Sequence, residues 1–309
     1  MIPRRARVAA IAVVAAAVGA GCGSQRDPCA FDAPGPGWLA FSTLEHGNWD
    51  VQVIRADGTC RRALSVDPST DLFAAWGPGG LVAYGSDRSP GPGIWIHDLR
   101  AKTERRLDLG SLGAASPAFS PDGATLAFEG RGPGVTNASI YLVPAAGGTP
   151  RLLTPDAPGS STPEPHGNGG PVFTPDGTTV YFVSDRGGPY DVYRVPAAGG
   201  DAVRVTTGSG ILGKPAMSPD GQALAYTRSA PGSTTEVVLL DLASAVVTPL
   251  PGPGRSDPAF DPAGGRLAAR AQYLLTTTID FVPLDGSGAL RLTTGPGPDG
   301  APAFAPVKP

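Results

Sequence analysis

The chain has 309 residues, among them 44 Gly and 35 Pro, a hydrophobic share of 41% and a formal net charge of −3. That charge, with no long basic run, excludes nucleic acid as a partner. The Gly and Pro load sets up turns and interrupts helices, while the apolar share suffices for a sizeable core, so one large all-β domain of many short strands fits best.

Residues 1–21 read as an export signal. Arg4, Arg5 and Arg7 precede an apolar stretch from Val8 to Gly21 that is too short and too rich in Ala and Gly to span a membrane. The residues around Arg4-Arg5 do not match a twin-arginine signal, which leaves a plain basic leader. Val18-Gly19-Ala20-Gly21-Cys22 resembles the bacterial lipobox, with Gly19 where a Leu-like residue is usual. The resemblance implies that Cys22 is lipidated and becomes the N-terminus of an exported protein. Such a protein is lipid-anchored to a bacterial membrane and faces the periplasm or the cell exterior. An ordinary signal peptide with a coincidental cysteine is the alternative. Residues 22–36, flavoured with Gly, Pro and Ser, read as a flexible tether. With Cys22 consumed, Cys29 and Cys60 remain as an even pair in an oxidising compartment, and a disulfide is expected, worth about 3 kcal/mol.

From residue 37 onward the chain repeats itself. One phrase recurs as Pro117-Ala-Phe-Ser-Pro-Asp-Gly123, Pro171-Val-Phe-Thr-Pro-Asp-Gly177, Pro215-Ala-Met-Ser-Pro-Asp-Gly221 and Pro258-Ala-Phe-Asp-Pro-Ala-Gly264, with a degraded copy over residues 74–80. Its bulky position falls at Trp76, Phe119, Phe173, Met217, Phe260 and Phe304, at intervals of 43, 54, 44, 43 and 44. These are the lengths of four-stranded propeller blades. Each phrase leads into a second strand (Leu126-Ala-Phe128, Val180-Tyr-Phe182), then a third (Ile140-Tyr-Leu142, Asp191-Val-Tyr193) and a fourth (Arg151-Leu-Leu-Thr154, Arg204-Val-Thr206). The first unit enters at its second strand, Gly37-Trp-Leu-Ala-Phe41, and the chain finishes on an opening phrase, Ala301-Pro-Ala-Phe-Ala-Pro306. The two ends therefore complete one blade, and residues 37–309 are expected to close a six-bladed β-propeller without a bare sheet edge. The interval of 54 marks a polar insertion over residues 155–170.

The repeat resembles the TolB-like β-propeller repeat, a relative of the WD repeat, best seen in residues 174–193. Its Ser184-Asp185-Arg186 element recurs as Ser86-Asp87-Arg88. In that family a propeller follows an N-terminal α/β domain and works with a peptidoglycan-associated lipoprotein in the Tol envelope system. Here a short linker precedes the ring, so the resemblance is to the propeller without that domain. It implies a binding protein, with an envelope protein or a small polar ligand as partner, and the chain is expected to be a monomer.

Because the Ser-Pro-Asp-Gly and Ser-Asp-Arg elements repeat in several blades, they read as turn chemistry rather than sites. Gly208-Ser-Gly-Ile-Leu-Gly213-Lys214 has the look of a phosphate loop, but Pro215 stands where the Ser or Thr belongs and a strand phrase follows instead of a helix. There is no nucleophile elbow and no His-Glu-x-x-His pair, so no catalytic residue, metal ligand or cofactor is assigned. His46 and His97 read as structural or surface residues. Ligand residues are sought where propellers bind, at the channel mouth, just upstream of each opening phrase. They are Asp71, Glu164, His166, Asn168, Lys214, Arg255, Asp257 and Asp299, with Phe73 and Ser116 beside them. The expected function is a non-enzymatic interaction or ligand-binding platform. The alternative is a lyase- or hydrolase-type enzyme with its active site at that mouth.

Overall fold

The structure, a computed structural model, describes residues 29, 37–45, 47–155, 166–230, 234–252 and 254–306. The export signal, Cys22, almost all of the tether, His46 and Glu164 lie outside the described residues. Among those residues, 24 strands form six four-stranded antiparallel sheets, and the only helical turn is a 3-10 turn at Pro78–Gly80. Asp299–Phe304, Asp71–Trp76, Gly113–Phe119, Asn168–Phe173, Ile211–Met217 and Arg255–Phe260 are the inner strands of blades 1 to 6. They pack against one another in cyclic order around a central channel. The fold is the six-bladed β-propeller expected, and the C-terminal strand closes it by pairing with Trp38–Leu44 (Leu39 opposite Phe304, Thr43 opposite Asp299).

Strand alternation builds the core. In Thr179–Ser184, Val180 and Phe182 point toward blade 3 while Tyr181 and Val183 point toward blade 5. Both faces of each sheet are buried in this way, and six apolar clusters fill the six spaces between neighbouring blades.

The repeated phrases are structural, as their repetition implied. In blade 3, Ser120 Oγ donates to Asp122 Oδ1 (2.6 Å), the Ala124 N–H donates to the same oxygen (3.0 Å), and Gly123 takes φ +72°. These hydrogen bonds favour the ionised carboxylate and hold the Asp122 carboxyl below its usual range. The Ser-Asp-Arg elements also have a purpose in the framework. Asp87 Oδ1 accepts from the Thr70 N–H (2.7 Å) and Asp185 Oδ1 from the Gly167 N–H (2.8 Å), fixing the chain as it enters the inner strand. The following arginines lie over aromatic rings, Arg88 at 4.5 Å from the Trp95 centroid and Arg186 at 4.8 Å from that of Tyr193. Cys60 in blade 1 is disulfide-bonded, as is Cys29.

Candidate functional site at the channel mouth

Every inner strand carries a β-bulge at the same height, and each bulge holds one residue in the left-handed region: Phe73, Ser116, Gly170, Gly213, Asp257 and Ala301, with φ between +48° and +78°. A bulge breaks the two-residue alternation, so this position is re-aimed relative to its neighbours. Glycine takes such a φ freely, but Phe73 and Asp257 do so at a cost of about 1 kcal/mol or more each. Blade 5 differs from the rest: three residues, 213–215, stand opposite Tyr226 where the other blades have two, and Lys214 is the middle one.

Below this ring the channel holds a cavity of about 220 Å³ to which all six blades contribute. Its walls include Trp76, Phe119, Met217, Phe260 and Phe304, the bulky residues of five opening phrases. Among the described residues that line it, Lys214 and Asp257 are the only ionisable ones. Lys214 reaches past Gly170 of blade 4, and its Nζ donates to the Pro117 carbonyl of blade 3 (2.8 Å). Desolvation in this enclosed position brings its ammonium down to about 8, opposed in part by the field of Glu129. The Glu129 Oε1 is itself engaged by the Gly170 N–H (2.8 Å). Asp257 accepts from Ser256 Oγ (3.1 Å) and from the Ala301 N–H, and Arg270 stands 3.9 Å away. Burial raises its carboxyl in spite of these partners.

Gly170 combines two demands, a φ of +57° and a pro-side-chain direction that ends 2.7 Å from Lys214 Cα. Gly170→Ala is expected to cost about 1–2 kcal/mol in a denaturant melt and to displace Lys214. An unchanged midpoint would show that the strands do not approach so closely.

The other expected mouth residues are placed differently. Asp71, Asn168 and Asp299 begin their inner strands and are buried inside the blades rather than lining the cavity. Arg88 Nη2 donates to Asp71 Oδ2 (3.0 Å), Arg186 Nη2 to Asn168 Oδ1 (2.9 Å), and Arg61 stands 3.7 Å from Asp299. Burial raises the carboxyls of Asp71 and Asp299. Arg255 turns back onto the carbonyls of Pro251 and Gly252. The His166 side chain is 44% exposed, with Nδ1 at 3.7 Å from Asp185. Lys214 and Asp257 therefore converge on the channel, and the remaining described candidates do not. Sequence reasoning missed Glu129 and Arg270, which lie on second strands opposite Ala115 and Ser256. Aligning the repeats shows the signal, because the same position is Gly85, Val183 and Thr227 in other blades.

The rim of this face is apolar. Val66, Phe73, Val135, Tyr190, Leu212, Tyr273, Leu274 and Leu275 are eight of the eleven large hydrophobic residues exposed among the described residues, and all lie at the end of the blades where the inner strands begin. In blade 6 the Tyr273 N–H donates to the Thr276 carbonyl (2.9 Å), which places Leu274 and Leu275 at the tip of a tight hairpin, 101% and 99% exposed. The five equivalent hairpins carry Gly or Pro; this one has neither. Tyr273 is fixed from below, its hydroxyl donating to Asp280 Oδ2 (2.8 Å) and its ring covered by Arg291 at 3.8 Å. The tip is thus a braced apolar knob where turn-forming residues are the ordinary choice.

Comparison with known proteins agrees with this architecture. The TolB protein of the Tol-Pal system from Bordetella pertussis is 30% identical over 165 residues, 53% of this chain and 36% of that relative, so the chain spans about a third of its length. The crystal structure of TolB from Acinetobacter baumannii superposes with a TM-score of 0.75 at 25% identity, covering 89% of this chain and 68% of that one. An oligogalacturonate lyase in complex with manganese shares the fold alone, at a TM-score of 0.58 and 16% identity over 83% of this chain and 73% of that one. The family model of the TolB beta propeller domain matches residues 91–251, just over half of the chain, and the chain belongs to that family.

Proposed function

We propose that this protein is an exported lipoprotein, lipid-modified at Cys22 and held to a bacterial membrane, whose propeller binds an envelope protein or a small polar ligand at the channel-mouth face and performs no catalysis. The observation that carries the binding face is the apolar rim with its braced Leu274-Leu275 knob. Soluble proteins seldom leave adjacent leucines wholly exposed unless something covers them. Relatives named as proteins of the Tol-Pal system support an envelope partner. In the same reading Cys29 and Cys60 pair with each other, residues 22–36 are the tether, residues 37–309 are the propeller, and the chain is a monomer.

The test is capture from cross-linked membranes, with bound proteins identified by mass spectrometry. Wild-type protein is expected to recover a specific envelope protein. The double variant Leu274→Asp/Leu275→Asp, at solvent positions whose replacement leaves the fold intact, should recover less than about a tenth as much. Cys22→Ser should shift the protein out of the membrane fraction. Equal capture by the Asp variant would remove the mouth face from the interaction.

A second reading, a lyase- or hydrolase-type enzyme, draws on the strained φ of Asp257 and Phe73 beside the cavity, since strain gathers at active sites. Metal analysis and a substrate screen on the purified protein separate the two. Turnover that disappears in Asp257→Asn would favour the enzyme.

A further inference from the structure

We propose that the channel cavity binds a carboxylate carried on a small apolar body, with Lys214 as its counter-ion. The inference rests on the reading of the channel-mouth face as a binding surface and gives that surface a ligand chemistry.

An ammonium has three donors, and burying it without an anionic partner is unfavourable. Lys214 Nζ makes one hydrogen bond among the described residues, to the neutral Pro117 carbonyl, and no carboxylate there lies within ion-pair distance. The acids nearby have other partners: Glu129, whose field reaches Lys214, takes the Gly170 N–H, and Asp257, which lines the same cavity, takes Ser256 and Ala301 with Arg270 at 3.9 Å. Two donors of this half-buried cation are thus open to a ligand, and desolvation, opposed in part by the field of Glu129, brings its pKa down to about 8.

The rest of the cavity decides what carries the charge. Its walls are aromatic and aliphatic, so the body is apolar, and about 220 Å³ admits only something small. Glu129 already places a negative field on this single ammonium, which disfavours a phosphate dianion and leaves a monoanion. A free aliphatic or aromatic acid has this chemistry, and so does the last residue of a peptide chain.

The experiment is titration calorimetry on the full purified protein at pH 7 with four probes: 3-phenylpropionate, its primary amide, a tripeptide ending in Phe with a free carboxylate, and the same tripeptide amidated. At least one acid is expected to bind ten-fold or more tighter than its amide. Lys214→Met should abolish that preference with an unchanged thermal midpoint, and Lys214→Arg should retain part of it. Affinity should fall by up to about ten-fold per unit as pH rises above 8, because the ligand selects the charged amine. The other ionisable groups around the cavity are Glu129, Asp257 and Arg270. Binding of the small acid alone supports a free metabolite, and binding of the peptide acid alone supports a chain terminus. Amides that bind as well as acids, a preference that survives Lys214→Met, or no binding by any probe would overturn the inference. The platform reading would still stand in all three cases if Leu274→Asp/Leu275→Asp continued to abolish membrane capture.

Discussion

Removing residues 299–309 is expected to abolish cooperative folding. The strand Asp299–Phe304 is the inner strand of blade 1, and its loss strips the partner from Trp38–Leu44, leaving an apolar strand with a bare edge beside the channel. Besides the ladder between the two strands, the hydrogen bonds lost include Ala305 N–H to the Trp38 carbonyl (2.9 Å) and Thr277 Oγ1 to the Asp299 carbonyl (2.8 Å). The stacked pair Phe281–Phe304 and the buried Ala305 go with them. Together they are worth about 5 kcal/mol or more, comparable with the whole stability of an ordinary domain. The truncated chain should therefore aggregate on size-exclusion chromatography and show no sigmoidal thermal transition. A sharp melt near the wild-type midpoint would mean that blades 2 to 6 hold the ring without closure.

The fold was legible in the sequence because the phrase that repeats is a turn bonded within itself. Ser120, Asp122 and Gly123 do the same work as Thr174, Asp176 and Gly177, and spacing alone then counts the blades. The candidate site was only partly legible, because polarity near an inner strand does not decide which residue reaches the axis; the bulge does, and the cavity is lined from the position three residues ahead of the bulky one. Asp71 and Asp299 sit two residues ahead of the left-handed position and point into their own blades toward Arg88 and Arg61. Asp257 occupies that position in blade 6 and lines the channel. Lys214 stands three residues ahead of Met217, as Asp257 does ahead of Phe260, and lines the cavity as well, although blade 5 has one residue more in its bulge. The Leu274-Leu275 knob is visible in sequence only as a hairpin without Gly or Pro. Its significance comes from the exposure of both side chains.

Asp191→Ala should produce a large loss of stability for a single substitution, about 3 kcal/mol. Asp191 begins the third strand of blade 4, is fully buried, and organises the crossover to blade 5. Its carboxylate accepts from the side chains of Arg204 and Thr206 and from the backbone N–H groups of Gly208 (2.9 Å) and Ser209 (3.0 Å). Alanine would leave these donors without their acceptor beside the entry to the strand that carries Lys214. Burial alone would raise this carboxyl, but Arg204 and the loop donors outweigh it and bring it down to about 2, from an unfolded value of 3.8. A depressed folded value means that the contribution is fully present above about pH 4 and is lost as pH falls toward 2. Urea melts of wild type and Asp191→Ala should therefore differ most at pH 7 and draw together toward pH 2. A gap that stayed constant across this range would assign the loss to packing rather than to the ionised carboxylate.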